Sequence, residues 1–146
     1  MIDFTLHTQI NRPAGDVFDY VTDPEQLPNW QTNTVSSRPE TPGPIGVGTR
    51  LREVHRAPGG KELVSLVEVT EFEPGRAFAL RVIEGTPVHL RIALDPVEGG
   101  TRVAFRAHGQ LTGGARLFQP VLARVLKRQF SKQLAVLTGL LDPVPA

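Results

Sequence analysis

Ile2, Phe4, Leu6 and Ile10 share one parity, and Asp3, Thr5, His7 and Gln9 share the other. That alternation predicts a strand with one buried face. Pro13 then suits the first turn of a helix, and Ala14, Val17, Phe18 and Val21 follow at helical spacing, with Asp16 complementing the N-terminal dipole. From Asp23 to Trp30 the chain carries Pro24 and Pro28. That is too much proline for a long helix, so a short turn of helix is predicted, delivering the only tryptophan. Three prolines and three glycines between 38 and 48 predict a loop.

From Thr49 to about Leu111 the chain reads as a meander of strands, with turn signals at Pro58-Gly59-Gly60, Pro74-Gly75, Gly85-Thr86-Pro87 and Glu98-Gly99-Gly100. Antiparallel partners keep a constant sum of residue numbers and share a face. A turn at Val97–Gly100 pairs Leu94 with Val103, Ile92 with Phe105 and Leu90 with Ala107. A three-residue turn at Gly85–Pro87 pairs Val82 with Leu90, Leu80 with Ile92 and Phe78 with Leu94. The turn at Pro74-Gly75 pairs Leu80 with Val69 and Val82 with Val67. A three-residue turn at Pro58–Gly60 pairs Leu51 with Val67, Glu53 with Ser65 and His55 with Leu63, whereas an even loop there flips the register. One face thereby collects Leu51, Leu63, Val67, Val69, Phe78, Leu80 and Val82, then Leu90, Ile92, Leu94, Val103, Phe105 and Ala107. The other collects Arg50, Arg52, Arg81, His89, Arg91, Arg102, Arg106 and His108, and reads as a solvated outer surface.

After Gly113-Gly114 the period changes. Phe118, Leu122, Val125, Leu126, Phe130, Leu137 and Leu140 recur at helical spacing, and Pro120 either kinks this helix or marks its start. At about 100° per residue, Leu122, Val125, Leu126, Phe130, Val136, Leu137 and Leu140 fill one arc. Arg124, Lys127, Arg128, Ser131 and Lys132 fill the opposite arc. Gln129 and Gln133 fall inside the apolar arc, either bonded to nearby backbone or facing a cavity. The helix is the one large element left to cover the apolar sheet face. The class is α+β: an antiparallel sheet, two short helices after its first strand and one long C-terminal helix, organised as one domain over 1–146.

Composition narrows the functions. Sixteen Lys and Arg against fifteen Asp and Glu leave a net charge of +1, so no field of one sign is available to hold a nucleic acid. Cysteine is absent, which excludes disulfides, thiolate metal sites and a cysteine nucleophile. The histidines stand apart in sequence, no Gly-x-Ser-x-Gly elbow occurs, and no phosphate-binding glycine loop opens a helix. Neither a metal nor another cofactor is expected. The N-terminus lacks the pattern of a signal peptide and no apolar run approaches about 20 residues, so a cytoplasmic protein with no membrane span is expected. Oligomeric state is not legible.

The element order resembles that of the START-like, birch-pollen-allergen-like (SRPBCC) superfamily, within it the polyketide cyclase/dehydrase and lipid-transport group. The motifs that carry the resemblance are the proline-led helix followed by the segment from Asp23 to Trp30, Gly46-Val47-Gly48-Thr49-Arg50, Glu68-Val69-Thr70-Glu71-Phe72-Glu73-Pro74 and Gly99-Gly100-Thr101-Arg102-Val103. It extends from about Phe4 to Leu141. It implies a helix-grip fold, a curved sheet of about six or seven strands around the last helix, with a cavity between them for a small hydrophobic molecule. Members bind lipids, sterols, polyketides and aromatics. Some are aromatases or cyclases, and others carry ligands without chemistry. Placed on the faces above, the expected ligand-binding residues are Trp30, Leu51, Ser65, Val67, Phe78, Leu80, Val82 and Leu90, then Ile92, Phe105, Ala107, Phe118, Leu122, Leu126, Gln129 and Gln133.

Catalytic candidates are few. Glu53 and His55 project from one predicted strand into the cavity beside Ser65, where a carboxylate in apolar surroundings and a nearby imidazole can exchange a proton. The same pair can also be a solvated rim pair or can merely orient a ligand. Trp30 either closes the cavity mouth or anchors the short helix in the core. Three functions follow: carriage of a small hydrophobic molecule, a cyclase, aromatase or dehydratase using Glu53 and His55, or a protein-interaction module, which requires a large exposed apolar patch.

Overall fold

The computed structural model describes residues 2–57, 59–85, 87–111 and 113–142. Its strands are β1 (Ile2–Ile10), β2 (Thr34–Pro39), β3 (Arg50–Arg56), β4 (Glu62–Glu73), β5 (Ala77–Glu84), β6 (Val88–Val97) and β7 (Gly100–Gly109). They form one curved seven-stranded antiparallel sheet in the order β1-β7-β6-β5-β4-β3-β2. The first two strands are therefore its two edges. Between them the chain crosses over as α1 (Ala14–Val21), a 3₁₀ turn (Pro24–Gln26) and α2 (Leu27–Trp30). The crossing is pinned by side chains: α1 buries Val17, Phe18 and Val21, and the Asp23 carboxylate caps the 3₁₀ turn by accepting from the Glu25 N–H at 3.0 Å.

Three of the four predicted registers hold: Leu51 pairs with Val67 and Glu53 with Ser65, Val69 pairs with Leu80, and Leu94 pairs with Val103. The β5–β6 register differs. Leu80 pairs with Leu90 and Phe78 with Ile92, two residues from the expected partners. The Gly85–Pro87 turn that set the expectation includes Thr86, outside the described residues. A shift of two preserves the pleat, so the same side chains still face inward.

Two features escaped the pattern. β2 was not predicted, because Thr34–Pro39 is polar and its register slips between Thr34 and Ser36. In β4, Thr70 is an extra residue between the Val69–Leu80 and Glu71–Ala79 pairs. This bulge turns Phe72 to the inner face, where its ring meets Phe18 at 5.2 Å and Phe78 at 6.0 Å between centroids.

A 3₁₀ stretch (Gly113–Phe118) leads into α3 (Gln119–Leu141), in which Pro120 sits in the first turn. Pro120 thus marks the start of the helix, where its missing N–H costs no hydrogen bond. The buried stripe is Phe130, Gln133, Leu134 and Leu137, with Leu141 packed against the core. This corrects the expected arc. Leu134 is inside, whereas Val125, Val136 and Leu140 are exposed. The stripe follows the i, i+3, i+4, i+7 seam of the half that touches the sheet. Apolar side chains outside that seam remain uncovered.

Much of the positive charge on the outer sheet face is held in ion pairs. Arg91 grips Glu71 at 2.8 and 3.1 Å, Arg106 grips Asp3 at 3.1 and 3.0 Å, and Arg50 and Arg81 flank Glu68. Hydrogen bonds from Arg106 and Arg91 hold the Asp3 and Glu71 carboxyls below the usual carboxylate range.

Candidate functional site

The second half of α3 is clamped to the sheet edge. Thr138 and Thr8 share a hydroxyl hydrogen bond at 2.8 Å, Arg12 Nε donates to the Leu141 carbonyl at 2.7 Å, and the Asp142 carboxylate accepts from the Asn11 N–H at 2.8 Å. Phe130 packs on Phe105 with centroids 4.7 Å apart. Among the described residues the first half is tied by a side-chain hydrogen bond only at its start, where Gln119 Oε1 accepts from the Leu111 N–H at 2.6 Å. Its inward residues Leu122 and Leu126 are only half-buried, and they stand over an open cavity of about 1500 Å³. That exceeds the roughly 300–1,000 Å³ of ordinary small-molecule pockets.

The inner face of the sheet supplies the wall. Ser65, Val67, Phe78, Leu80 and Val82 come from β4 and β5, and Leu90, Ile92 and Phe105 from β6 and β7. Trp30 closes one side from α2, and Leu122, Leu126 and Gln129 face it from α3. Four expected contacts lie elsewhere. Leu51 is buried between Pro39 and Val67, and Ala107 between Phe4 and Leu90 (a methyl too short to reach past them). Phe118 is exposed in the 3₁₀ stretch and forms no part of the wall. Gln133 is buried and donates from Nε2 to Asn33 Oδ1 at 2.8 Å. Conversely, Gln31 and Asn33 join the wall although the sequence does not single them out, since neither alternation nor helical spacing marks the α2–β2 connection, and Arg56 joins it from the end of β3.

One end of the cavity is polar. Ser37, Glu53 and Ser65 lie side by side across β2, β3 and β4. Glu53 is only 6 % exposed. Its Oε1 lies 3.4 Å from His55 Nε2, while His55 Nδ1 is 3.1 Å from the Thr34 hydroxyl. In the tautomer with Nε2–H that N–H points to the carboxylate, and Nδ1 then competes with Gln31 Oε1, 3.3 Å from the Thr34 hydroxyl, for its one proton. Trp30 Nε1, Ser37 Oγ and Gln133 Oε1 are buried without a hydrogen-bond partner among the described residues. Such groups ordinarily find a partner in protein, water or ligand.

Among the described residues no helix is long and apolar enough to cross a membrane. Apolar residues are nevertheless exposed around the start of α3: Leu117, Phe118, Val121 and Val125.

A curved sheet around a C-terminal helix, with an open apolar cavity between them, defines a helix-grip protein. The chain belongs to the polyketide cyclase/dehydrase and lipid transport family, which it matches over residues 1–141. It is 28% identical over 139 residues to Uncharacterized protein Rv1546 of Mycobacterium tuberculosis, covering 92% of this chain and 94% of that protein. Among solved structures it is similar to the di-domain ARO/CYC StfQ of the steffimycin biosynthetic pathway, with TM-score 0.82, 15% identity and coverage of 96% of this chain and 50% of that one. TTHA0849 from Thermus thermophilus is similar at TM-score 0.77 and 21% identity, covering 94% of each chain. Protein NE0264 from Nitrosomonas europaea is similar at TM-score 0.76 and 20% identity, covering 96% of this chain and 94% of that one.

Proposed function

We propose that this protein binds and carries a small hydrophobic molecule in the cavity between its sheet and α3. The cavity carries the reading. About 1500 Å³ lined by Leu80, Val82, Leu90, Phe78 and Phe105 is left unfilled by the protein's own side chains. Apolar surface of that kind is stabilised by a guest that removes it from water, at about 25 cal/mol per Å². The polar end (Glu53, His55 and Ser65) would orient an uncharged polar group of that guest, where it carries one. Trp30 is the only tryptophan and lines the cavity, so its emission reports filling. Titration with long-chain lipids, sterols and aromatic polyketides should shift or quench that emission saturably for at least one class. A flat response to every class contradicts the reading.

A second reading is favoured by one observation. Glu53 is buried on the cavity wall beside His55, the arrangement a cyclase or dehydratase needs to move a proton to or from a polyketide chain. In this reading Glu53 removes a proton next to a carbonyl and His55 holds the pair in place.

A further inference from the structure

Positive charge is unevenly neutralised in this protein. On the outer sheet face Arg50, Arg52, Arg81, Arg91 and Arg106 are each within 4.0 Å of a carboxylate. From 99 to 141 the sequence contains no Asp or Glu at all. In that stretch α3 presents Arg124, Lys127, Arg128 and Lys132, all exposed, and each lines the cavity together with Arg56 of β3. Among the described residues none of these cations makes an ion pair. Among the described residues the wall has a single carboxylate, Glu53, and it is buried. An overall charge of +1 therefore hides a cationic collar around an apolar hole.

We infer that the guest is an anionic amphiphile, with its apolar body under Leu122 and Leu126 and its carboxylate or phosphate head among the cations of α3. The inference rests on the carrier reading of the cavity. An ionised head buried in the apolar interior loses its hydration without a compensating partner, so it stays at the rim. There the collar offers it charge-assisted hydrogen bonds, and cations around a cleft reinforce one another's potential. Glu53 opposes the reverse orientation, because a head driven inward would meet a carboxylate. Within α3 the two zones are adjacent: Leu122 and Leu126 turn inward, while Arg124, Lys127 and Arg128 reach outward beside them.

The test uses one chain length and four heads: dodecanoate, dodecyl phosphate, dodecanol and dodecyltrimethylammonium, each titrated below its micelle concentration and read by Trp30 emission and by calorimetry. At low salt the anions should bind about ten-fold or more tightly than dodecanol, with the ammonium weakest, and the gap should shrink as salt screens the exposed collar. In an Arg124→Gln/Lys127→Gln/Arg128→Gln variant dodecanoate should fall toward dodecanol. Preference for only one of the two anions names the head and upholds the inference. Equal affinity for all four heads, or preference for the ammonium, overturns it and leaves the carrier reading standing. Binding of none of the four, with the family's other ligand classes also rejected, overturns both.

Discussion

Gln133 of α3 donates a 2.8 Å hydrogen bond from Nε2 to Asn33 Oδ1, joining the helix to the α2–β2 connection across 100 residues of sequence. The bond ties the half of the helix that covers the core to the segment that closes one side of the cavity. It also separates two glutamines that share an arc. Gln133 is 2 % exposed and structural, whereas Gln129 is half-buried on the cavity wall. Gln133→Leu should destabilise the fold by about 1–3 kcal/mol, because it leaves the Asn33 amide without its partner. Gln129→Leu should leave the melting temperature nearly unchanged and alter ligand affinity instead. Thermal unfolding of both variants checks this, and equal losses of stability would refute the division of roles.

The proton-transfer reading separates from carriage in the polar end. Glu53→Gln keeps the shape of the side chain and removes its capacity as a base. His55→Ala removes the imidazole beside it. Both variants should retain ligand affinity within a few-fold. If the protein turns over a polyketide-like substrate, both should lose that turnover by about 10²–10⁴-fold, the usual contribution of a positioned base. Turnover that survives Glu53→Gln would remove the cyclase assignment from this pair.

The fold should weaken in mild acid for a reason on the outer face. His89 and His108 are cross-strand partners whose rings stack at 4.8 Å. Desolvation, reinforced by His108 and Arg81, lowers the His89 pKa. A histidine with a depressed folded pKa binds fewer protons folded than unfolded. Its contribution is complete above the ordinary imidazole value of about 6.5 and is lost as pH falls from there to the folded pKa. Melting temperature should therefore decline as pH falls below about 6.5, and His89→Gln should flatten that decline. A profile unchanged by His89→Gln would contradict it. Loss of the depressed Asp3 and Glu71 carboxylates adds a separate fall below about pH 4.

Two glycines should respond in opposite directions to alanine. A Cβ on Gly100, where β7 meets the end of β1, would lie 2.2 Å from the Ile10 carbonyl oxygen. Since backbone cannot swing aside as a side chain can, Gly100→Ala should destabilise by about 1–3 kcal/mol. Gly15, in α1, has nothing within 4 Å of that position. There Gly15→Ala should stabilise by up to about 0.5–1 kcal/mol through helix propensity. Denaturant unfolding distinguishes the two signs.

Much of the fold was legible because strand parity is robust. Leu94 with Val103 and Glu53 with Ser65 followed from constant sums across short turns. Even where β5 and β6 pair two residues from the expected register, Leu80 and Ile92 remain on the inner face. Parity fails where a residue is inserted, which is why Phe72 was not placed in the core: the bulge at Thr70 lies in a run with no glycine or proline to announce it. Helical spacing located α3 but not the rotation of its seam. Apolar residues surround much of the helix, and only contact with the sheet selects Leu134 over Val136. From the sequence the α3 cations are placed only on the arc opposite its apolar residues. Arg124 and Lys127 are indeed exposed, and their position at the cavity mouth depends on where the first half of α3 stands relative to β3 and β4.

The most direct measurement of the central claim is native mass spectrometry of the protein purified from its own host. The account predicts a mass increment matching one small hydrophobic molecule per chain, released as an anion on gentle activation. Protein that emerges at its bare mass, and that takes up none of the lipids, sterols or aromatic polyketides added back, would contradict it.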